Sequence, residues 1–249
     1  MALHNTLENL THKGIPMKTK HLIAAGLLSV LSVNANAQDL NIAITNLTQG
    51  LHFTPLVVAA HNADTSVFSV ATAASSQLQL LAEGGDFSGL DAQLSDAAAD
   101  IMTNPAGGLL APATGTQLTL TTTDGNNLLS LAAMVLPTND GFVGLDSWMI
   151  PTEAGTYTIW LNAYDAGTEA NDELIVDGSG APGTPGIPAA PGGNSGANGS
   201  GVSDTQANGN VHVHRGALGD DDLNGGKSDL DSRVHRWLNP VAKVTVTVQ

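Results

Sequence analysis

Hydrophobic positions alternate with polar or small ones along several short stretches of this chain. Leu40, Ile42 and Ile44 mark the first stretch, and Leu118 and Leu120 stand between threonines in the second. Tyr157, Ile159, Leu161 and Ala163 share one face of a third. Val244, Val246 and Val248 oppose Lys243, Thr245 and Thr247 in a fourth. A period of two belongs to strands with one face buried. Leu128–Leu136 is near-continuously apolar, which suits a central strand of a sandwich. Residues 76–82 and 90–102 carry spaced Leu and Ala and are expected to form short helices under a long connection. The pattern predicts an all-β chain, an antiparallel β-sandwich with a short helical excursion.

Two segments fall outside that pattern. Lys18 and Lys20 precede an apolar run over residues 22–33, and Ala35-Asn36-Ala37 fits the small-x-small cleavage rule. Residues 17–37 therefore read as a signal peptide, with Gln38 the first mature residue and residues 1–16 an over-extended start. The apolar run is too short to span a bilayer. The expected product has no membrane anchor and is periplasmic or secreted. Residues 177–201 are dense in Gly, Pro, Ser and Asn, the composition of a flexible loop. The remainder of the chain after that loop ends in a strong strand but lacks apolar residues for a core of its own. Residues 38–249 are thus expected to form one domain, with a flexible insertion over 177–210.

Charge narrows the functions. The chain has 23 Asp and Glu against 8 Lys and Arg, a net charge of −15, and after Lys20 the next Lys or Arg is Arg215. No phosphate-binding surface can be built from that, which excludes nucleic acid. The absence of cysteine excludes disulfides, thiol catalysis and Cys-ligated zinc.

Three groups of residues carry candidate chemistry. Asp140 lies in a turn after Leu128–Leu136, and Asp165 and Glu169 lie in a turn after the Tyr157 run. If residues 142–150 return antiparallel to both flanking strands, those strands point the same way and their acidic turns meet at one edge. Gly167 permits the bend that brings Glu169 back toward Asp165. Carboxylates gathered without a cation repel, and Ca²⁺ takes such oxygens; solvated turn residues give the same spacing. A second group, Asp220, Asp222, Asn224, Ser228 and Asp231, nearly matches a calcium loop with Gly225 at its sharp turn. Lys227 at an apolar position, Asp rather than Glu at the end, and no helix before it count against that match. His212 and His214, two residues apart on a strand, fit a zinc or copper pair with His235, His52 or His61 as third ligand. Alternation on a half-exposed strand produces the same pattern. No Ser-His-Asp signature, phosphate loop or zinc-protease motif is present.

The order of LAEGGD (81–86), NDGFVGLDS (139–147), YDAGTE (164–169) and NPVAKVTV (239–246), with His52-Phe53-Thr54-Pro55 ahead of them, resembles the spondin N-terminal domain. That domain occurs in extracellular-matrix proteins such as F-spondin and mindin and in bacterial exported proteins. The resemblance covers roughly residues 39–249. It implies a β-sandwich of the calcium- and lipid-binding (C2-like) kind, a bound divalent cation, and a part in adhesion. By its motifs the metal ligands would be Asp140, Asp165 and Glu169. Gly141 stands where the family often has Trp, and Thr121 where some members have a further carboxylate. The expected function is a secreted calcium-binding adhesion or interaction module, not an enzyme, whose partner is an extracellular protein or surface glycan. The alternatives are an exported metal-dependent enzyme on His212/His214 or the carboxylates, and a purely structural matrix component.

Overall fold

A computed structural model describes residues 37–249 apart from 182, 194, 195, 207 and 223. The over-extended start and all but the last residue of the expected signal peptide lie outside the described residues. The alternating stretches are strands. In chain order the elements are β1 (Asp39–Asn46), β2 (His52–Phe53), β3 (Val57–His61), α1 (Ser76–Gly84), α2 (Ser88–Asp96), β4 (Asp100–Thr103), β5 (Gly115–Thr121), β6 (Leu128–Leu136), β7 (Gly141–Met149), β8 (Gly155–Asp165), β9 (His212–Val213) and β10 (Ala242–Val248). Neighbouring strands run in the order β4-β3-β6-β7-β8-β10-β1-β5, with β2 on β6 and β9 on β8, and every pairing is antiparallel.

The two layers of the expected sandwich are one continuous sheet, and β8 is where it turns. Residues from Gly155 to Leu161 pair with β10, whereas Asn162 to Asp165 pair with β7. Leu40, Ile42 and Ile44 of β1, Val244 and Val246 of β10, and Leu129, Leu131 and Val135 of β6 fill the space between the halves. The open ends approach each other. The Asp100 carboxylate at β4 accepts from Thr123 N and Oγ1 just past β5, and Thr116 of β5 donates to the Pro105 carbonyl.

The apolar run of β6 results from burial on both faces. Its other face, with Ala132, meets Leu78, Leu81, Leu90 and Leu94 of the helices, together with Phe142. Helix α1 packs on β6 and β7, and α2 on β3 and β4. The other half-sheet turns a different kind of face outward. Thr119 of β5, Asn41 of β1, Thr247 of β10 and Thr156 of β8 stand in one cross-strand row, next to Gln117, Ala43, Thr245 and Thr158. Thr119, Thr156, Thr158 and Trp160 on this face are exposed.

One helical expectation needs correction. Residues 90–102 are not one helix: α2 ends at Asp96 and Asp100–Thr103 is β4. Ala98 takes a left-handed φ of 54°, and pairing with Val57 to Ala60 of β3 then outweighs the local Leu/Ala spacing.

Helix α1 starts at Ser75, whose hydroxyl accepts from Leu78 N at 3.1 Å. It ends at Gly84 and the left-handed Gly85. Gly84 is required by close approach, because a Cβ there would run into the Gly180 carbonyl oxygen. Helix propensity alone favours Gly84→Ala by about 1 kcal/mol. Displacing a backbone carbonyl costs about 1–3 kcal/mol. The variant is therefore expected to melt lower and to be cut faster by protease within residues 180–188; a higher melting temperature would show that this segment yields freely.

Residues 177–210, expected as a flexible insertion, hold no helix or strand among the described residues, yet they are anchored. Ile187 is fully buried with Leu230 and Ala217, flanked by Ile175 and Trp237. Asp229 Oδ1 accepts from Ala197 N at 2.7 Å and Gly199 N at 2.9 Å, and its Oδ2 accepts from Ile175 N at 2.8 Å. The described residues belong to one compact unit, Ala35–Gln249. Among them no helix is long and apolar enough to cross a membrane.

Candidate metal centre

Strand β7 lies antiparallel to both β6 and β8, so β6 and β8 run the same way and end at the same edge. Gly141 pairs with Asp165. Asp140, one residue earlier, sits beside the turn after β8, and its carbonyl accepts from Ala166 N at 3.1 Å. The turn wraps the Asp140 carboxylate. Oδ2 accepts from Thr168 N at 2.7 Å, Thr168 Oγ1 at 3.2 Å and Glu169 N at 3.0 Å. Gly167 makes the bend at φ 72°, donating to Asp165 Oδ1 at 2.8 Å, where a Cβ would lie 2.8 Å from Asn210 N.

The carboxylates gathered here are out of water. Asp140, Asp165 and Glu169 are 0%, 1% and 7% exposed. Asp165 has donors at both oxygens, Gly167 N at Oδ1 and Asn171 Nδ2 at 2.6 Å from Oδ2, and His212 Nε2 lies 3.6 Å from Oδ2. Glu169 Oε2 accepts from Gly186 N at 3.0 Å and Asn139 Nδ2 at 3.4 Å. Asp140 Oδ1 and Glu169 Oε1 are buried with no partner. Burial, then the Asp165 charge, pushes the Asp140 carboxyl up to about 6, against the donors at Oδ2. Burial pushes Glu169 up to about 7; the Gly186 amide opposes this, and the Glu83 and Asp140 charges add to it. Among the described residues the ion pairs are His212–Asp165 and Arg233–Asp231, so no Lys or Arg neutralises the group.

The three residues meet at one edge but do not close on a common point. Among the described residues no three His, Cys, Asp or Glu side chains are grouped so that they could hold a metal ion. Two atoms of the group are nevertheless of the kind a hard cation takes. Two unpaired carboxylate oxygens, each buried, are the atoms a Ca²⁺ would satisfy, and Ca²⁺ tolerates irregular oxygen shells.

The second acidic segment spends its oxygens elsewhere. Asp220 Oδ2 accepts from Lys227 N and Ser228 N, and Oδ1 from Asp222 N. Asp222 Oδ1 accepts from Asn224 N. Asp231 pairs with Arg233, which with its own backbone bond holds the carboxyl down at about 2. Ser228 turns inward to donate to Glu173 Oε2 at 2.6 Å. Asp220, Asp222, Ser228 and Asp231 line one pocket with Asp229 and His235, but among the described residues no three His, Cys, Asp or Glu side chains are grouped so that they could hold a metal ion.

The histidine pair has a tautomer problem. His214 Nδ1 accepts from Gly216 N at 3.0 Å, which places the proton of the neutral ring on Nε2, a buried atom without a partner. Burial pushes this ring down to about 4. Its one lone pair is thus already taken. His212 donates from Nδ1 to the Asn210 carbonyl. His235 Nδ1 accepts from Asp231 N, and His61 donates to the Asn62 carbonyl while accepting from Ser130 Oγ at 2.7 Å. His52 Nδ1 is buried without a partner. The Ser130–His61 pair has the arrangement of nucleophile and base, but Ser130 is 1% exposed and also receives Ser147 N, so it braces the bulge in β7.

A family model described as Spondin_N matches residues 44–174. The chain belongs to the spondin N-terminal domain family. A comparison with curated proteins finds no match. The spondin stretch carries β2 to β8, both helices and the acidic turn, and thus Asp140, Asp165 and Glu169. The spondin match ends at Leu174, before Asp229 and the segment it anchors. Residue patterning did not single out Glu83, Glu173, Asn139 or Asp229. Glu83 lay inside the LAEGGD motif, the one signal that could have marked it.

Proposed function

We propose that this spondin-family chain is an exported module that binds one Ca²⁺ through Asp140, Asp165 and Glu169 and acts in adhesion or interaction at the cell surface or in the matrix. The observation that carries the reading is the pair of buried, partnerless oxygens on Asp140 and Glu169 in a region without a cation. Export rests on the pattern over residues 17–37. The interaction role rests on the family and on an outward sheet face of Thr, Asn and Gln side chains. The competing reading, an exported metal enzyme on His212 and His214, is weakened by the engaged lone pair of His214.

Calorimetry on protein beginning at Gln38 tests the cation. One Ca²⁺ should bind with a Kd on the order of 10⁻⁴–10⁻³ M, the range of extracellular modules, or tighter. Asp140→Asn and Asp165→Asn should each weaken it about tenfold or more. No heat at millimolar Ca²⁺ discards the site. Pull-downs from the native extracellular milieu, with and without chelator, then ask whether a partner depends on the ion.

A further inference from the structure

The outward rows of β5, β1 and β10 form a groove of about 620 Å³, within the roughly 300–1,000 Å³ of small-ligand sites. Asn41, Gln117, Thr119, Thr245 and Thr247 line it, and Met102 of β4 and Pro105 just past it complete the wall. Among the described residues no Asp, Glu, Lys, Arg or His lines this groove, although the chain carries a net charge of −15. Its polar groups are also unspent. Asn46 and Asn126 use their amides on the fold, donating to the carbonyls of Leu51 and Leu110 and to Ala98 O and the Asp100 carboxylate. Along the rows from Thr119 to Thr156 and from Gln117 to Thr158, the one side-chain hydrogen bond among the described residues joins Thr156 Oγ1 and Thr247 Oγ1 at 3.2 Å. Hydroxyls and amides each donate and accept, so the rows offer both roles to a ligand and no charge.

The adjoining row ends in an aromatic platform. Trp160 of β8 pairs with Lys243 of β10, and the next outward pair along these strands is Thr158 with Thr245. Trp160 is 58% exposed, whereas Trp148 and Trp237 pack against the core. An indole gives a large, rigid apolar surface, the kind of anchor on which binding energy concentrates. Its flat face matches the C–H side of a sugar ring, and the rows beside it match the ring's hydroxyls.

The lining decides between occupants. A lipid chain needs apolar walls, and these walls are mostly hydroxyl and amide. An added peptide strand needs a free edge, and beside β4 the β5 edge is tied by Thr116 to the Pro105 carbonyl and, just past it, by Thr123 to Asp100. An anionic polymer meets the field of an acidic protein. A neutral, hydroxyl-rich chain meets none of these obstacles. We propose that this face binds a neutral polysaccharide, with sugar hydroxyls taken by Asn41, Gln117 and the threonines and one ring stacked on Trp160. This rests on the interaction reading above, whose partner it names by class, and is independent of calcium. Asn41, Thr245 and Thr247 lie outside the matched spondin stretch, so the family alone does not supply the groove.

Affinity electrophoresis of protein beginning at Gln38 tests the proposal, in native gels carrying soluble mixed-linkage β-glucan, galactomannan or dextran. At least one of the three should retard the wild type, with or without chelator. In that gel Trp160→Ala, and Asn41→Ala combined with Gln117→Ala, should each weaken binding about tenfold or more, as loss of an interface anchor does. Circular dichroism checks that each variant is folded. Acrylamide quenching of wild-type fluorescence needs no variant: the retarding polysaccharide should shield Trp160, the exposed indole. Retardation by none of the three, or by alginate alone, overturns the proposal. So does equal retardation of wild type and folded variants, unchanged quenching, or binding that vanishes with chelator. A partner captured in the pull-down without any retardation would refute the polysaccharide and leave the interaction reading standing.

Discussion

In calcium-free buffer at about pH 8 the Asp140→Asn protein melts above the wild type, and calcium closes the gap. The Asp140 carboxyl is held up at about 6 against its ordinary 3.8, by burial and by Asp165. A raised carboxyl favours the fold while protonated, and that contribution is lost as pH rises through the folded value. Above about pH 7 the folded wild type therefore carries a cost of about 3 kcal/mol at this position. Asn has no charge to bury and keeps an oxygen for the Thr168 and Glu169 amides. In a domain of this size, about 3 kcal/mol corresponds to roughly 6–12 °C. Calcium bound as proposed would stabilise the wild type by about 2.7 kcal/mol at a hundredfold excess over Kd, and the mutant by far less.

The gap should also shrink on acidification from about pH 7 toward about pH 3, below both the folded and the unfolded value, where Asp140 is largely protonated in both states. The wild-type profile alone would hide this. His214, pushed down to about 4 by burial, loses stabilisation as pH falls from 6.5, opposite in sign to Asp140. Comparing wild type with Asp140→Asn cancels the histidine. A mutant melting below wild type by the same margin at both ends of that range would show that Asp140 acts only as an acceptor for its turn.

Asp229→Ala should cost about 3 kcal/mol or more and release residues 175–199. Three backbone amides, those of Ile175, Ala197 and Gly199, lose their acceptor at once. Each buried donor left unpaired costs about 1–3 kcal/mol. Water that enters as the segment loosens limits the loss. The readouts are a lower melting temperature and fast exchange at Ala197 and Gly199, while β6 stays protected. Slow exchange at both glycine and alanine amides in the mutant would show that the packing of Ile187 holds the segment without Asp229.

Strands and their direction were legible because a period of two survives any tertiary context that buries one face. Direction alone implied the meeting of the Asp140 turn with the Asp165 turn, which Gly141–Asp165 pairing displays. The burial of Glu83 was not legible. Helix α1 reads from its leucines as an ordinary amphipathic turn, and the chain that lies against its end, at residue 180, comes from almost a hundred positions away. The segment at 177–201 reads as free because Gly and Pro report backbone latitude, whereas its anchors, Asp229 and Leu230, come from beyond it. Strand β4 was hidden for a related reason: four residues are too few to show a period, and β3 supplies the missing information.

Strand β8 has a mechanical consequence. It begins in the half-sheet whose hydroxyl-bearing surface faces outward and ends at Asp165. Anything gripping that surface pulls on the same backbone that closes the acidic turn. Strand β10 holds β8 from Gly155 to Leu161 and β7 holds it from Asn162 to Asp165, so a load along it must shear many hydrogen bonds together instead of peeling them singly. An ion seated at the far end would act as a knot in that line, setting how hard a tethered partner can pull before the module gives way.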